Sequence, residues 1–145
     1  MKRIAVLVSG GGTNLQALID AEKEGIIVNG KISLVISNVK GAYALERARM
    51  NGIPTAVVLK KECGSQELFE QNIIALLREH EIDLIVLAGF MSILSEEFTK
   101  AFPHRIINVQ SLSLIAYSVP VSVYADARTF YNCSVRQTTA AVFII

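Results

Sequence analysis

Hydrophobic and polar positions along residues 1–109 predict strands separated by helices. Five short apolar runs predict strands at Ile4–Val8, Ile32–Ile36, Thr55–Leu59, Leu84–Ala88 and Arg105–Val109. Between them, apolar residues recur at three- and four-residue spacing, which is typical of helices with one buried face. Strands that alternate with helices predict an α/β fold with a Rossmann-like, mostly parallel sheet and helices on both of its faces.

Residues that begin and end helices support the same division. Ser65 and Ser95 each precede a helical pattern and are predicted N-caps. Gly25 and Gly52 are predicted helix ends. Ligands of such folds bind beyond the carboxyl ends of the strands. Three segments lie there: residues 10–14, residues 89–94, and the residues from Asn108 onward.

A glycine-rich turn, Ser9-Gly10-Gly11-Gly12-Thr13-Asn14, follows the first predicted strand. Small residues let the backbone approach a ligand, and a helix start offers free N–H groups, so the turn predicts a phosphate site. A dinucleotide motif is disfavoured, because Leu15 occupies the third glycine position and Ser37-Asn38 stands where a ribose-binding acid is expected. The alternative is a plain strand-to-helix turn in which Asn14 caps the helix.

Charge and composition narrow the class of protein. The 145-residue chain has a net charge of +1, and its dispersed charges predict no nucleic-acid partner. Its mean hydropathy of +0.44 is explained by strands buried on both faces, since no apolar run approaches the roughly 18 residues of a membrane span. Two histidines and two cysteines show no metal-ligand spacing, so no metal is predicted. We expect a cytoplasmic protein with free thiols and no signal peptide.

Five segments of residues 1–109 together resemble one enzyme family. Ser9–Ala17 is similar to the opening of phosphoribosylglycinamide formyltransferase, an enzyme of purine biosynthesis. The other segments agree with that family in order and spacing: Ser37-Asn38, Leu45–Ala48 with Gly52-Ile53, Leu87–Ser95, and Ile106–Val109. The resemblance implies the N-terminal part of the formyltransferase fold. It also implies transfer of a formyl group from 10-formyltetrahydrofolate to the amine of glycinamide ribonucleotide.

The resemblance further implies roles for individual residues. The residues that would hold the substrate phosphate are Gly12, Thr13 and Asn14. The residues that would line the folate pocket are Met91, Ser92, Ile93 and Leu94, with Gln66 and Asn108 beside them. Asn108 also matches the family's catalytic asparagine, whose amide would stabilise the oxygen of the tetrahedral intermediate. Ordinary core packing under a loop is the alternative for Met91, Ile93 and Leu94.

The chain departs from the family immediately after Val109. Gln110 stands where the family has a histidine that opens a His-Pro-Ser-Leu segment, and Ser111–Ile115 is only faintly similar to that run. Glutamine donates a hydrogen bond but cannot shuttle a proton near neutral pH. The family's aspartate is also unmatched, since the context of Asp126 differs. We therefore expect little or no transferase activity from this polypeptide.

Residues 110–145 also differ in composition. They contain no glycine, lysine, glutamate or histidine, and their only charged residues are Asp126, Arg128 and Arg136. With an early end relative to the family, this predicts a slip of the reading frame near codon 110. The chain would then divide into a nucleotide-binding part, residues 1–109, and a divergent tail, residues 110–145. Alternating Val119, Val121 and Val123 and the apolar Ala140–Ile145 predict either a β-rich edge or an exposed, aggregation-prone end.

Two other kinds of function are alternatives. One is a binding module without catalysis that holds a phosphorylated ribose compound at Gly12–Asn14. The other is a related formyl-processing enzyme, formyltetrahydrofolate deformylase or methionyl-tRNA formyltransferase. The deformylase usually carries an additional N-terminal domain, whereas the first strand here begins at Ile4, and the tRNA enzyme has a different opening turn. Both fit the sequence less well.

Overall fold

The computed structural model describes the backbone of residues 1–111, 131–135 and 138–144 and the side chains of residues 1–109. Its strands are β1 (Lys2–Val8), β2 (Gly30–Ser37), β3 (Thr55–Val57), β4 (Leu84–Ala88), β5 (Ile106–Ser111), β6 (Tyr131–Val135) and β7 (Thr138–Ile144). Its helices are α1 (Thr13–Lys23), α2 (Tyr43–Met50), α3 (Lys60–Cys63), α4 (Gln66–Glu79) and α5 (Glu96–Ala101). The predictions for Val119–Val123 and Asp126 lie outside the described residues.

One mixed sheet organises the fold, with strand order β3-β2-β1-β4-β5-β7-β6. Strands β1 to β5 pair in parallel, and β7 pairs antiparallel with both β5 and β6. The predicted mostly parallel sheet is therefore confirmed. Because the chain moves from β1 outward to β3 and then returns to β4 on the other side of β1, the order reverses between β1 and β4. Open α/β sheets bind ligands at the carboxyl edge of such a switch point.

Helices cover both faces of the parallel part of the sheet, as predicted. On one face, Leu15 and Ile19 of α1 and Ala44, Leu45 and Ala48 of α2 pack against strand residues that include Val6 and Val35. On the other face, Phe69, Ile73 and Leu77 of α4 and Phe98 of α5 pack against strand residues that include Leu7 and Ile85. Burying each such large side chain contributes about 1.5–3 kcal/mol. Successive buried residues along β1 and β4 therefore pack alternately into two separate hydrophobic cores, one on each face of the sheet.

Two predicted helix caps are confirmed, and one strand end is corrected. The Ser65 hydroxyl accepts a hydrogen bond from the Leu68 N–H at 3.2 Å, and the Ser95 hydroxyl accepts one from the Phe98 N–H at 3.4 Å. The third strand was predicted to reach Leu59, but β3 ends at Val57. It is an edge strand whose partner, β2, ends at Ser37 opposite Val57. The chain then turns into the short helix α3, which the apolar pattern did not predict.

The segment after Val109 contributes to the sheet. The fifth strand was predicted over Arg105–Val109, but β5 runs from Ile106 to Ser111 and pairs with β7. The apolar end was predicted as a β-rich edge or an exposed segment. Strand β7 lies between β5 and β6, so the β-rich alternative is the one observed.

A small polar cluster closes the opposite, amino-terminal edge of the sheet. The Arg3 N–H donates to Asp83 Oδ2 at 2.9 Å, and the Asp83 N–H donates to the Arg3 carbonyl at 2.8 Å. The bond from the Arg3 N–H holds the pKa of Asp83 below its ordinary value of 3.8. The positive charges of Lys2 and Arg105 act in the same direction, and partial desolvation opposes them. This contact fixes the chain just before β4 begins.

Candidate ligand site at the carboxyl edge of the sheet

The glycine turn connects the end of β1 to the start of α1. Gly12 has a left-handed backbone, with φ of 77°, and is the N-cap of α1. A Cβ atom at Gly12 would lie 2.7 Å from both Cα and Cβ of Ala44, so only glycine lets α1 and α2 pack this closely. Because glycine has no side chain to cap the helix, the N–H groups of the first turn of α1 are left for a ligand.

The alternative in which Asn14 caps this helix is wrong. Helix α1 already begins at Thr13, so Asn14 is its second residue and cannot occupy the cap position. Thr13 is exposed, and Asn14 and Gly12 are half-buried. The three residues predicted to hold a phosphate therefore form one continuous helix start at the carboxyl edge of the sheet.

Helix α2 holds the carbonyl side of the turn. Arg47 Nε donates to the Gly11 carbonyl at 2.7 Å, and the Ala44 N–H donates to the Gly10 carbonyl at 3.1 Å. The Arg47 guanidinium also lies 4.9 Å from the centroid of the Tyr43 ring. These contacts place a positive charge beside the turn and fix two of its carbonyl oxygens. Arg47 lies in a segment that carried the family resemblance, yet the sequence alone assigned it no role.

Ser9 joins the ends of three strands. Its buried hydroxyl donates to Asn38 Oδ1 at 2.5 Å, just beyond β2. The same hydroxyl accepts a hydrogen bond from the Met91 N–H at 2.8 Å, in the loop that follows β4. The glycine turn and the Met91 loop are thus tied to one side chain. In the sequence, Ser9 and Asn38 stand out only as parts of longer segments, because nothing local reveals that they touch.

The loop after β4 presents apolar side chains to solvent. Gly89 turns the chain with φ of 66°, and the residues that follow are Phe90 to Leu94. The Met91 and Ile93 side chains are 81% and 86% exposed, so the core-packing alternative is wrong for these two. Leu94 does pack against the core, and Ser92 is half-buried. Exposed apolar groups at the carboxyl edge provide a surface suited to a flat, partly apolar ligand.

Two further side chains on α4 contact this loop. Gln66 Nε2 donates to the Ile93 carbonyl at 3.1 Å and to Glu70 Oε2 at 2.9 Å. Glu70 is buried, and its Oε2 accepts a hydrogen bond from the Ser95 N–H at 2.7 Å. Gln66 was predicted to belong to the folate side, and the structure brings it to the predicted folate loop. Glu70 was not predicted.

Asn108 lies in β5, beside the strand that feeds the loop. It is 7% exposed and pairs in register with Leu87 of β4 and Phe143 of β7. Adjacent strands lie about 4.8 Å apart, so Asn108 is one strand spacing from the end of β4. Apart from Gln66 on α4, the predicted site residues therefore follow or lie in three neighbouring strands, β1, β4 and β5. Gln110 lies two residues further along the same strand.

The described residues contain neither a candidate metal cluster nor a helix suited to spanning a membrane. No group of three or more histidine, cysteine, aspartate or glutamate side chains within the described part of the chain could hold a metal ion. Among the helices given above, none is both long enough and apolar enough to cross a membrane.

Fold and site together define an α/β protein with a glycine-rich turn and an exposed apolar loop at the switch point of its sheet. The chain belongs to the formyl transferase family, whose model matches residues 2–115. It is 46% identical over 118 residues to a phosphoribosylglycinamide formyltransferase of Haemophilus influenzae, covering 81% of this chain and 55% of that protein. It is 41% identical over 117 residues to the trifunctional purine biosynthetic protein adenosine-3 of Drosophila melanogaster, covering 80% of this chain and 9% of that protein.

Solved structures give the same likeness. The phosphoribosylglycinamide formyltransferase of Coxiella burnetii superposes with a TM-score of 0.79 at 33% identity, covering 99% of this chain and 65% of that one. Against the curated relative from Haemophilus influenzae, the chain spans about half of that protein's length, 55%.

Proposed function

We propose that this chain carries the substrate and folate subsites of a glycinamide ribonucleotide formyltransferase of purine biosynthesis. One observation carries the proposal. In a chain of the formyl transferase family, the Ser9 hydroxyl joins the glycine turn to the Met91 loop, and Asn108 lies on β5, the strand beside β4. The names of the matched relatives support the same activity. A cytoplasmic location is part of the proposal, supported by the free thiol of Cys63.

The phosphate of glycinamide ribonucleotide would bind at Gly12, Thr13 and Asn14. The N–H groups at the start of α1 and the positive end of the helix dipole favour a doubly charged phosphate. The Arg47 guanidinium adds a positive charge behind the turn, where it donates to the Gly11 carbonyl. With its carbonyls engaged by α2, the turn is free to direct its N–H groups toward the ligand.

The co-substrate 10-formyltetrahydrofolate would bind along Met91, Ser92, Ile93 and Leu94. The exposed side chains of Met91 and Ile93 can cover the faces of a pterin ring, and backbone groups can pair with its polar edge. The formyl carbon would then lie near Asn108. Attack by the substrate amine develops negative charge on the formyl oxygen, and an amide N–H of Asn108 would stabilise that charge, an effect worth about 10²–10³ in rate.

The proton transfers of this reaction have no suitable side chain at position 110. The attacking amine must lose a proton and the folate nitrogen must gain one. Gln110 can donate a hydrogen bond, but it has no proton to exchange near neutral pH. We therefore propose that the chain binds both ligands and turns over slowly or not at all. A slip of the reading frame after codon 109 would account for Gln110 and for the composition of residues 110–145.

Calorimetry and a formyl-transfer assay on the 145-residue chain test this proposal. We expect the chain to bind glycinamide ribonucleotide and a stable folate such as 5-formyltetrahydrofolate, with weak transfer from 10-formyltetrahydrofolate. Binding of the ribonucleotide alone would favour the non-catalytic module, and release of formate without an acceptor amine would favour the deformylase. Binding of neither ligand would refute the proposal. Sequencing the coding DNA tests the frame slip, which requires an alternative frame encoding His-Pro-Ser-Leu.

A further inference from the structure

Glu70 is a buried carboxylate that bonds the loop after β4 to α4. It is 5% exposed and accepts hydrogen bonds from the Ser95 N–H at 2.7 Å, from the Ser95 hydroxyl, and from Gln66 Nε2 at 2.9 Å. With the residues whose side chains are described, it forms no salt bridge. A buried carboxylate requires such donors, and hydrogen bonds to an ionised acceptor are roughly twice as strong as neutral ones.

The loop from Met91 to Leu94 is held at three points by hydrogen bonds. Its first N–H group, that of Met91, bonds to the Ser9 hydroxyl. The carbonyl of Ile93 accepts from Gln66, and Ser95, which ends the loop and caps α5, bonds to Glu70. Glu70 also bonds Gln66, so one carboxylate orients two of these three attachments.

Burial of apolar side chains contributes little to the stability of the loop from Met91 to Leu94. The Met91 and Ile93 side chains are 81% and 86% exposed, and only Leu94 packs against the core. Segments with few buried apolar contacts open locally at low free-energy cost unless hydrogen bonds hold them. The conformation that presents Met91 and Ile93 together therefore depends on the polar attachments, and chiefly on Glu70.

We propose that Glu70 is a positioning residue for the folate subsite. It touches no ligand itself, but it fixes Ser95 and Gln66 and thereby sets the conformation of Met91–Leu94. This inference rests on the proposed function for the identity of the ligand, whereas its structural part concerns the loop alone. Gln66 then serves the folate side through the Ile93 carbonyl.

Hydrogen exchange on the full chain tests the structural part. In Glu70→Gln, the side chain keeps its shape but loses charge and one acceptor oxygen, so the amides of residues 91–95 should exchange about tenfold faster. The amides of β2 should keep their rates. Glu67→Gln is the matched control, since Glu67 lies on the same helix, is exposed, and bonds only Gln71 among the described side chains.

Unchanged exchange of residues 91–95 in Glu70→Gln would overturn the inference. If that variant does not fold, Gln66→Met removes the amide that joins Glu70 to the Ile93 carbonyl while leaving the buried carboxylate and Ser95 in place. The same region should then exchange faster, and unchanged rates in this variant would equally overturn the inference.

Ligand titration tests the functional part. The Kd for 5-formyltetrahydrofolate should rise about tenfold in Glu70→Gln and stay unchanged in Glu67→Gln, while the Kd for glycinamide ribonucleotide stays unchanged in both. Equal losses of both ligands would indicate a general folding defect and would overturn a folate-specific role. If the unsubstituted chain binds no folate, the proposed function fails, and the exchange rates still decide whether Glu70 positions the loop.

Discussion

Arg47 Nε donates a hydrogen bond of 2.7 Å to the carbonyl oxygen of Gly11. This bond connects the second helix to the middle of the glycine turn, 36 residues earlier in the chain. It brings a positive charge next to a segment suited to an anion, and it restrains a turn whose glycines are otherwise free to move. The conformation of the glycine turn therefore depends on α1 and α2 together.

Replacing Arg47 should weaken binding of the ribonucleotide. Arg47→Met keeps the length of the side chain but removes the charge and the bond to Gly11, so we expect the Kd for glycinamide ribonucleotide to rise at least about tenfold. Calorimetry measures this directly. Arg49→Met is the control, because Arg49 lies on the same helix and, among the described side chains, pairs only with Glu46 on the surface. Equal affinities in both variants would contradict a role for Arg47.

Replacing Gly12 by alanine should destabilise the chain more than replacing Gly52, another glycine with positive φ. Gly12→Ala places a residue at φ of 77° and drives its Cβ against Ala44, for a cost of about 2–5 kcal/mol. Gly52→Ala imposes similar backbone strain at φ of 69° but meets nothing within 4 Å, so about 1–2 kcal/mol is expected. Urea denaturation measures both. Equal losses of unfolding free energy in the two variants would mean that α1 and α2 move apart at little cost to accommodate the extra methyl group.

A histidine at position 110 should raise the rate of formyl transfer. Gln110→His supplies an imidazole that exchanges protons near neutral pH, and general acid–base catalysis of this kind contributes about 10²–10⁴ in rate. We expect kcat/KM to rise at least about a hundredfold in a coupled assay. Adding Asn108→Ala to this variant should remove the gain. Equal rates of formyl transfer in the parent chain and in Gln110→His would show that the reaction does not need an imidazole at position 110.

The contact between Arg3 and Asp83 should make stability depend on pH at the acid end. The pKa of Asp83 is lowered from 3.8 in the folded chain, so its contribution to stability is fully present above pH 3.8 and is lost as the pH falls through the lower folded value. Asp83→Asn should therefore be less stable than the parent chain at pH 6, and the two should converge below pH 3.8. Denaturation curves across this range provide the measurement, and a constant difference would contradict the prediction.

Local patterns predicted most of the fold, because the spacing of apolar residues over short stretches of sequence indicates where strands and helices form. The caps at Ser65 and Ser95 and the glycine turn were predicted for the same reason: each involves neighbours in sequence. The bonds that assemble the site join distant residues, such as Ser9 and Met91, which are 82 positions apart. Glu70 shows the limit most clearly, since nothing local indicates that Ser95, 25 positions further along the chain, lies beside it.

The position of β7 matters while the chain is being synthesised, because β7 follows its partner β5 in the sequence. Strand β5, which carries Asn108, pairs on one side with β4 and on the other with residues 138–144. A nascent chain therefore completes five parallel strands while the outer edge of β5 still lacks its partner. Unpaired edges invite pairing with other chains. Protection of the strand that carries Asn108 must therefore wait until residues 138–144 have been made.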